Sequence, residues 1–474
     1  MDKNTFFNGL LGAFLHTPTL IQNIALQQLT EFLVDEKSSQ KLFLLKGFAG
    51  TGKTSIINCV LQNLPAINHK AVLLAPTGRA AKVMSGFAKQ QAFTIHKHIY
   101  YPKSQNGNFS FTRKPNKSKN TLFIVDEASM IADTDARFSE QTALLDDLIA
   151  YVYSGAGCKL LLMGDSAQLP PVNSDYSPAL DVQNLEIQYD KEVRHIELDE
   201  VVRQGKKSGI LHNATKIREL LFEASFYKDF KFNLHKFKDI KHLTEGVEIQ
   251  EAIEDAYSQY GSEQTVLIVR SNKRAVLYNK QIRKVILDSE NLLSAGDLLM
   301  VVKNNYFWLK DSSAVGFIAN GDTLEVLRVY AFREFYGFRF AEVSVQLIDY
   351  PDQPPFDTVL LLDTLESEFP SLTYEQNNQL YQEVLLDYQD EPTAYRRYEK
   401  VKQNPFFNAL QVKFSYAVTC HKSQGGQWDV VFIEKPFLTD GADDNYLRWL
   451  YTALTRAVKK VYLIGFKDED FVEA

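Results

Sequence analysis

Residues 46–55 read KGFAGTGKTS, set between the apolar run LFLLK (42–46) and the helix-compatible segment SIINCVLQNL (55–64). Gly47, four intervening residues and then Gly52-Lys53-Thr54 complete the pattern G-x-x-x-x-G-K-[ST]. Glycines let the backbone turn tightly enough for successive N–H groups to face phosphate oxygens. Gly47, Ala49, Gly50, Thr51, Gly52, Lys53, Thr54 and Ser55 are therefore the expected cradle for a nucleoside triphosphate. Lys53 would set a point charge on the β/γ-phosphates, and the Thr54 hydroxyl would ligate Mg²⁺. An accidental glycine-rich turn is the alternative, and the strand–loop–helix order around the pattern argues against it.

A phosphate cradle needs carboxylates at the end of a neighbouring buried strand. TLFIVDEASM (121–130) supplies them, four apolar residues leading to Asp126 and Glu127. Asp126 suits the Mg²⁺ shell, and Glu127 suits a base that orients and deprotonates water.

Composition sets the outer bounds. The 474 residues suffice for two to four domains. Hydrophobic and charged fractions of 45% and 23% are those of a globular protein. A net charge of −7 gives no global attraction to nucleic acid, so such a site must be locally basic. Cys59, Cys158 and Cys420 are scattered, without C-x-x-C, against a disulfide framework or cysteine-rich zinc site. The first twenty residues lack the pattern of a secretory leader, and no apolar run reaches the roughly 18 residues of a spanning helix. A cytoplasmic protein without membrane contact is expected.

Further blocks narrow the class. VLLAPTGRAAKVMS (72–85) reads as strand, turn and helix; LLLMGDSAQLPPV (160–172) is a second buried strand followed by Gln168. IELDEVVRQ (196–204) carries Arg203, and YAVTCHKSQGGQWDVVFIE (416–434) and LYTALTRAVKKVYLIG (450–465) follow, the latter with Arg456. In this order and spacing the chain resembles superfamily 1 helicases, and within them the 5′→3′ branch of RecD and the phage helicase Dda. The resemblance runs from about Leu20 to Gly465.

It implies an α/β fold of two RecA-like P-loop NTPase domains with ATP in the cleft between them. Lys53, Thr54, Asp126 and Glu127 would come from the first domain. Gln168 would sense the γ-phosphate, and Arg203 and Arg456 would act as arginine fingers; surface salt bridges are the plainer reading of both arginines. Gln22 matches the adenine-contacting glutamine, with Gln27 and Gln28 as competitors, and Gly425 would join the nucleotide contacts. Pro76, Thr77, Arg79 and His96 match first-domain positions along the DNA track, and Thr419, His421 and Ser423 those of the second. Both histidines could instead be core residues after apolar strands.

The basic path lies between His96 and Asn120, where Lys97, Lys103, Arg113, Lys114, Lys117 and Lys119 occur without a single Asp or Glu. Tyr100, Tyr101, Phe109 and Phe111 interleave with them, the combination that binds single strands through phosphate attraction and base stacking. Asn106-Gly107 is a hairpin signal. A β-hairpin is expected at 97–119, where Dda-like proteins carry a strand-separating wedge, with Phe109 and Phe111 on it. A solvated lysine-rich loop is the alternative.

The expected division is a first RecA-like domain over 1–200, a second over 201–292 and 406–474, and an insertion over 293–405. TVLIVRSNKRAVLYNKQIRKVI (265–286) reads as strand, polar turn and helix. From about Gly296, short alternating strands with Asn-Gly punctuation suggest a small β-barrel, the SH3-like module of Dda-like helicases. An acidic helical stretch, 372–402, departs from the family pattern and reads as a structural brace.

The resulting expectation is an ATP-dependent helicase that translocates 5′→3′ on single-stranded DNA and unwinds duplex. Its partners would be single-stranded and forked DNA and a single-strand-binding protein, and it would act as a monomer. An RNA or 3′→5′ helicase, or an ATP-gated clamp that remodels protein–DNA complexes without strand separation, stand as alternatives.

Overall fold

Leu42 and Leu44 side with one buried cluster of the first domain, Phe43 and Leu45 with another. A strand that buries alternate residues into two different cores must be covered on both faces, which is the condition for a parallel sheet. The computed structural model describes residues 1–34, 41–105, 108–132, 143–172, 174–201, 208–223, 228–309, 317–438 and 441–473, with the side chains of 102–111 outside the description. Its first sheet is parallel throughout, in the order Ala92–Thr94, Lys70–Ala75, Thr121–Val125, Lys159–Gly164, Lys41–Gly47, Glu192–Leu198. The cradle loop leaves the end of Lys41–Gly47 and enters the helix Lys53–Asn63. The strand Thr121–Val125 ends directly before Asp126, two places along the same sheet.

The second sheet repeats the logic. Val266 and Ile268 enter one core and Leu267 and Val269 the other. Its order is Ala417–Thr419, Thr265–Val269, Trp428–Glu434, Ala457–Ile464, Ile240–Leu243, again parallel. These are the two RecA-like domains that the resemblance implies.

Between the strands of the second sheet the chain builds a closed five-stranded barrel: Leu298–Val301, Thr323–Phe335, Phe338–Leu347, Phe356–Leu361 and Leu410–Phe414. The helices Tyr374–Leu386 and Ala394–Gln403 lay Leu380, Val384 and Val401 against Phe338, Phe340 and Leu361 on its outside. The acidic stretch is therefore a cover for barrel strands, and a Thr373–Gln376 capping box fixes where it starts.

Buried polar bonds join the barrel to the second domain. Arg283, after the helix Asn272–Gln281, grips Asp297 through two bonds of 2.9 Å, and the Tyr416 hydroxyl donates to the same carboxylate at 3.1 Å. Asn279 donates to the carbonyls of Phe414 and Ala417 at 3.2 and 2.8 Å.

The hairpin pairs Tyr100–Gln105 with Asn108–Arg113 in antiparallel register. Asp147, on the helix Leu144–Tyr153, anchors its base: it accepts from Tyr100 Oη at 2.8 Å and from Arg113 Nη1 at 3.0 Å. Beneath the hairpin, His98 lies among Phe123 and Tyr151, and its Nε2 is buried without a partner. Burial first, then Lys114, pushes its pKa down to about 4. Between pH 6.5 and 4 the unfolded chain thus binds a proton that the folded chain refuses, and stability falls as pH falls through that window. His98→Phe should flatten the acid side of a plot of denaturation midpoint against pH within this window and leave the neutral plateau nearly level.

Candidate nucleotide site and strand track

The loop after Gly47 turns through two left-handed glycines, Gly50 at φ +81° and Gly52 at φ +92°. A side chain at Gly52 would meet a second obstacle besides the backbone: a Cβ there would lie 2.5 Å from Gln22 Nε2. Gln22 is buried and fixed at both ends, accepting from Thr19 N at 3.0 Å and donating to Thr51 O at 2.9 Å. Of the three glutamines considered for that place, Gln22 is thus bonded to the cradle itself. Lys53 Nζ is held on the carbonyls of Gly47 and Phe48. Thr54 and Ser55 open the following helix, Thr54 half-buried and Ser55 exposed.

Asp126 and Glu127 stand beside this loop. Burial first, then the Glu127 carboxylate, pushes the Asp126 pKa up to about 7, against the pull of Lys53 and Arg456. The Glu127 backbone is left-handed at φ +52°, and its N–H donates to Asp126 Oδ1 at 2.7 Å. A non-glycine residue in that region costs about 1–3 kcal/mol and persists only where its surroundings impose it. Gln168 is buried, and its Oε1 has no partner. An orphaned buried acceptor, and a buried carboxylate whose pKa is raised in spite of Lys53 and Arg456, are features a nucleotide with its divalent cation would satisfy.

The second domain completes the site. Arg456 is buried, donates to Thr452 O at 3.1 Å and Gly426 O at 3.3 Å, and reaches Glu127 Oε1 at 3.7 Å. The plainer reading of Arg456 as a surface ion pair is therefore wrong. Arg203 lies outside the described residues. Phe48 of the cradle shares a buried cluster with second-domain residues, its ring under the Arg218 guanidinium at 4.3 Å.

The strand-track residues divide. Thr77 caps the helix Gly78–Ala88, accepting from Ala80 N at 3.2 Å. Pro76 precedes it, half-buried. Gly425, at φ +72°, faces this same turn: a Cβ there would lie 2.6 Å from Ala80 Cβ and 3.2 Å from Thr77 Oγ1. Arg79 stacks on the second-domain Trp428 ring at 3.8 Å. His96 is half-buried against Tyr100, and Thr419 makes no side-chain capping bond. His421 is half-buried, and burial lowers its pKa. Ser423 is a correction: fully buried, its hydroxyl closes a local turn on Cys420 O at 2.7 Å and has no face for a phosphate. Phe109 and Phe111 belong to a hairpin strand, but their side chains lie outside the described residues.

Sequence reasoning missed several groups. The barrel rim closes onto the first domain through Lys82, which pairs with Asp349 at 3.3 Å and donates to Ile348 O at 2.9 Å. Asp322 lies so close to Gly78 that any side chain there would overlap its carboxylate. Burial, followed by Asp349, pushes the Asp322 pKa up to about 8. No motif marks these carboxylates, because they sit in turns of the inserted module. Tyr451 lies within LYTALTRA, five residues before Arg456, and nothing in its residue type marks it as a site residue.

The fold and this seam define a P-loop NTPase of two RecA-like domains. Residues 27–229 match an AAA domain, and residues 414–464 match a UvrD-like helicase C-terminal domain. The ATP-dependent RecD2 DNA helicase of Deinococcus radiodurans is 30% identical over 203 residues, 43% of this chain and 25% of its own length. The ATP-dependent DNA helicase dda of Enterobacteria phage T4 is 24% identical over 458 residues, 89% of this chain and 93% of its own. A solved Pif1 helicase, studied for unwinding at forked duplex DNA, shares 17% identity across 96% of this chain and 94% of its own, with a TM-score of 0.45. The chain is thus similar to DNA helicases of the RecD2 and Dda type. Among the described residues no helix is long and apolar enough to cross a membrane.

Gly52→Ala should therefore weaken binding of a fluorescent ADP at least tenfold, because the substitution strains the backbone and displaces Gln22 together. Gly12→Ala, where a Cβ meets nothing within 4 Å, is the control that should bind normally.

Proposed function

We propose that this protein hydrolyses ATP at the seam and uses it to move 5′→3′ along single-stranded DNA, unwinding duplex ahead. The observation that carries the reading is the approach of Arg456 to Glu127 at 3.7 Å, a buried cation of one domain set on the acidic end of the other's strand. The Glu127 carboxylate takes a proton from the attacking water, and Arg456 offsets charge developing on the transferred phosphoryl group. Such an arginine is typically worth about 10³–10⁵ in rate. Mg²⁺, when bound through Thr54 and Asp126, would neutralise phosphate charge. Lys53 provides the fixed point charge beside them, Gln22 holds the loop at its adenine side, and Gln168 faces the γ-phosphate. Arg203 is the second expected finger.

Strand binding is assigned to Pro76, Thr77 and His96 on the first domain and to Thr419 and His421 on the second. Small hydroxyls and backbone groups hold phosphates without reading sequence, so binding is sequence-independent. Arg79, stacked on Trp428, links the two halves of the track. Phe109 and Phe111 are the wedge that meets the fork. Opening a base-pair step costs about 1.4 kcal/mol on average, so rectifying motion is the harder requirement. The domain boundaries at 200, 292 and 405 belong to this reading, as do a monomeric motor, a single-strand-binding protein as partner and a cytoplasmic location.

Fluorescent duplexes with a 5′ or a 3′ single-stranded tail, in DNA and RNA, test the class and direction together. ATP should release the strand only from the 5′-tailed DNA; release only from the 3′ tail reverses the direction, and preference for RNA changes the substrate. Phe109→Ala with Phe111→Ala should abolish unwinding and preserve DNA-stimulated ATP turnover. Unwinding that survives both substitutions would remove the hairpin from the mechanism, whereas a wild type that hydrolyses ATP on DNA but releases no strand from either tail would leave the protein-displacing clamp as the better account. Lys53→Ala should lose both activities.

A further inference from the structure

The helix Asp444–Leu454 of the second domain presents one face to the first domain, and three bonds there converge on the loop that carries Gln168. Arg448 donates to Ser166 O, Thr452 Oγ1 accepts from Leu169 N at 2.9 Å, and Gln424 beneath the helix donates to Leu169 O at 2.7 Å. Gln168 is thus held from both sides by the other domain. In the same row, Tyr451 is 1% exposed, and its hydroxyl does something different. It donates to Asp165 Oδ2 at 2.8 Å and accepts from the Ala49 N–H at 3.0 Å. One oxygen therefore joins an amide of the phosphate cradle, the first residue after the strand Lys159–Gly164 and a second-domain helix, across 402 and 286 positions of sequence.

We propose that Tyr451 is a positioning residue that transmits the state of the nucleotide cradle to the Gln168 loop and thence to the strand track. The inference rests on the reading of the seam as an ATP site. Three observations carry it. Ala49 lies in the turn read as the phosphate cradle and donates its N–H to the Tyr451 hydroxyl, so a change in that turn moves this end of the bridge. Asp165, at the other end, is fully buried; burial raises its pKa, which the Tyr451 bond and Lys53 oppose. It also accepts from Ala167 N at 2.9 Å, so the carboxylate cannot shift without shifting the start of the Gln168 loop. Finally, the ring is enclosed in the cluster that holds Phe48, Ala167 and Leu169 from the first domain and Leu447, Leu450 and Leu454 from the second. A side chain wanted for apolar packing would be served by phenylalanine; the hydroxyl is present for its two bonds.

Tyr451→Phe keeps the ring and deletes the bridge. Three quantities separate a transmitting role from a structural one: thermal midpoint, affinity for a fluorescent ADP, and the ratio of single-stranded DNA affinities with and without a non-hydrolysable ATP analogue. The expected result is an ADP affinity within about threefold of wild type, a DNA-stimulated kcat down about tenfold, and an affinity ratio collapsed toward one. Asp165→Ala should do the same, and the double variant should be no worse than either, because both remove one bridge. An unchanged ratio in a well-folded Tyr451→Phe overturns the proposal, and so does a fall in ADP affinity that accounts for the whole loss of kcat. If Tyr451→Phe does not fold, Asp165→Ala alone decides by the same ratio. The wild-type arm guards the premise: a wild type whose turnover ignores single-stranded DNA refutes the motor reading itself, whereas normal stimulation with an unaltered Tyr451→Phe refutes only the bridge.

Discussion

A buried seam between two domains cannot hold unpaired charge, and that constraint organises the molecule. Arg456, Glu127, Asp126, Asp165 and Lys53 lie together in a region closed over by Phe48, Trp428 and Leu450. Each charge is tolerable because an opposite charge or a hydrogen-bond donor from another segment stands near it. The second domain supplies Arg456 and the Tyr451 hydroxyl, whereas the first supplies the carboxylates. Neither half is electrostatically complete alone, so any change of charge at the cradle alters the affinity of the two domains for each other.

The barrel is fastened to both domains, in different ways. Arg283, Asn279 and Tyr416 tie it to the second domain by bonds buried away from water. Its contact with the first domain is of another kind: Lys82 is largely exposed while its partner Asp349 is buried, and Asp322 carries an unpaired oxygen against Gly78. An exposed ion pair is worth about 0–1 kcal/mol, and removing one partner of a buried pair costs several. The barrel is thus held to the second domain by fully buried bonds and to the first by an ion pair that is exposed on its lysine side.

Much of this was legible. Continuous apolar runs ending in Gly, Asp or Glu marked individual buried strands, because a strand buried on both faces admits no polar alternation, and the family resemblance implied their arrangement in two domains. The cradle, Asp126 with Glu127, and the barrel could be read from strand ends and turn residues. Ser423 could not, since whether a hydroxyl faces a strand or closes its own helical turn depends on a contact three residues away. Tyr451 gave no signal for a related reason: its partners lie hundreds of positions away, and an isolated tyrosine has no periodicity to announce its neighbour.

The backbone at Glu127 shows how the sheet enforces the chemistry. The strand before it is fully buried and locked by parallel neighbours on both sides. Asp126 N donates to Leu74 O at 3.0 Å, so the ladder continues one residue past the strand. The next residue must leave the sheet abruptly, and it does so in the left-handed region, with its own N–H turned onto the Asp126 carboxylate. That turn aims the Glu127 side chain away from the strand axis and toward Arg456 across the seam. A glycine would relieve the backbone but has no carboxylate, and a relaxed glutamate would point elsewhere. Strain of about 1–3 kcal/mol is sustained by burial of Leu122–Val125, so the stability of the first domain's core fixes the geometry of Glu127.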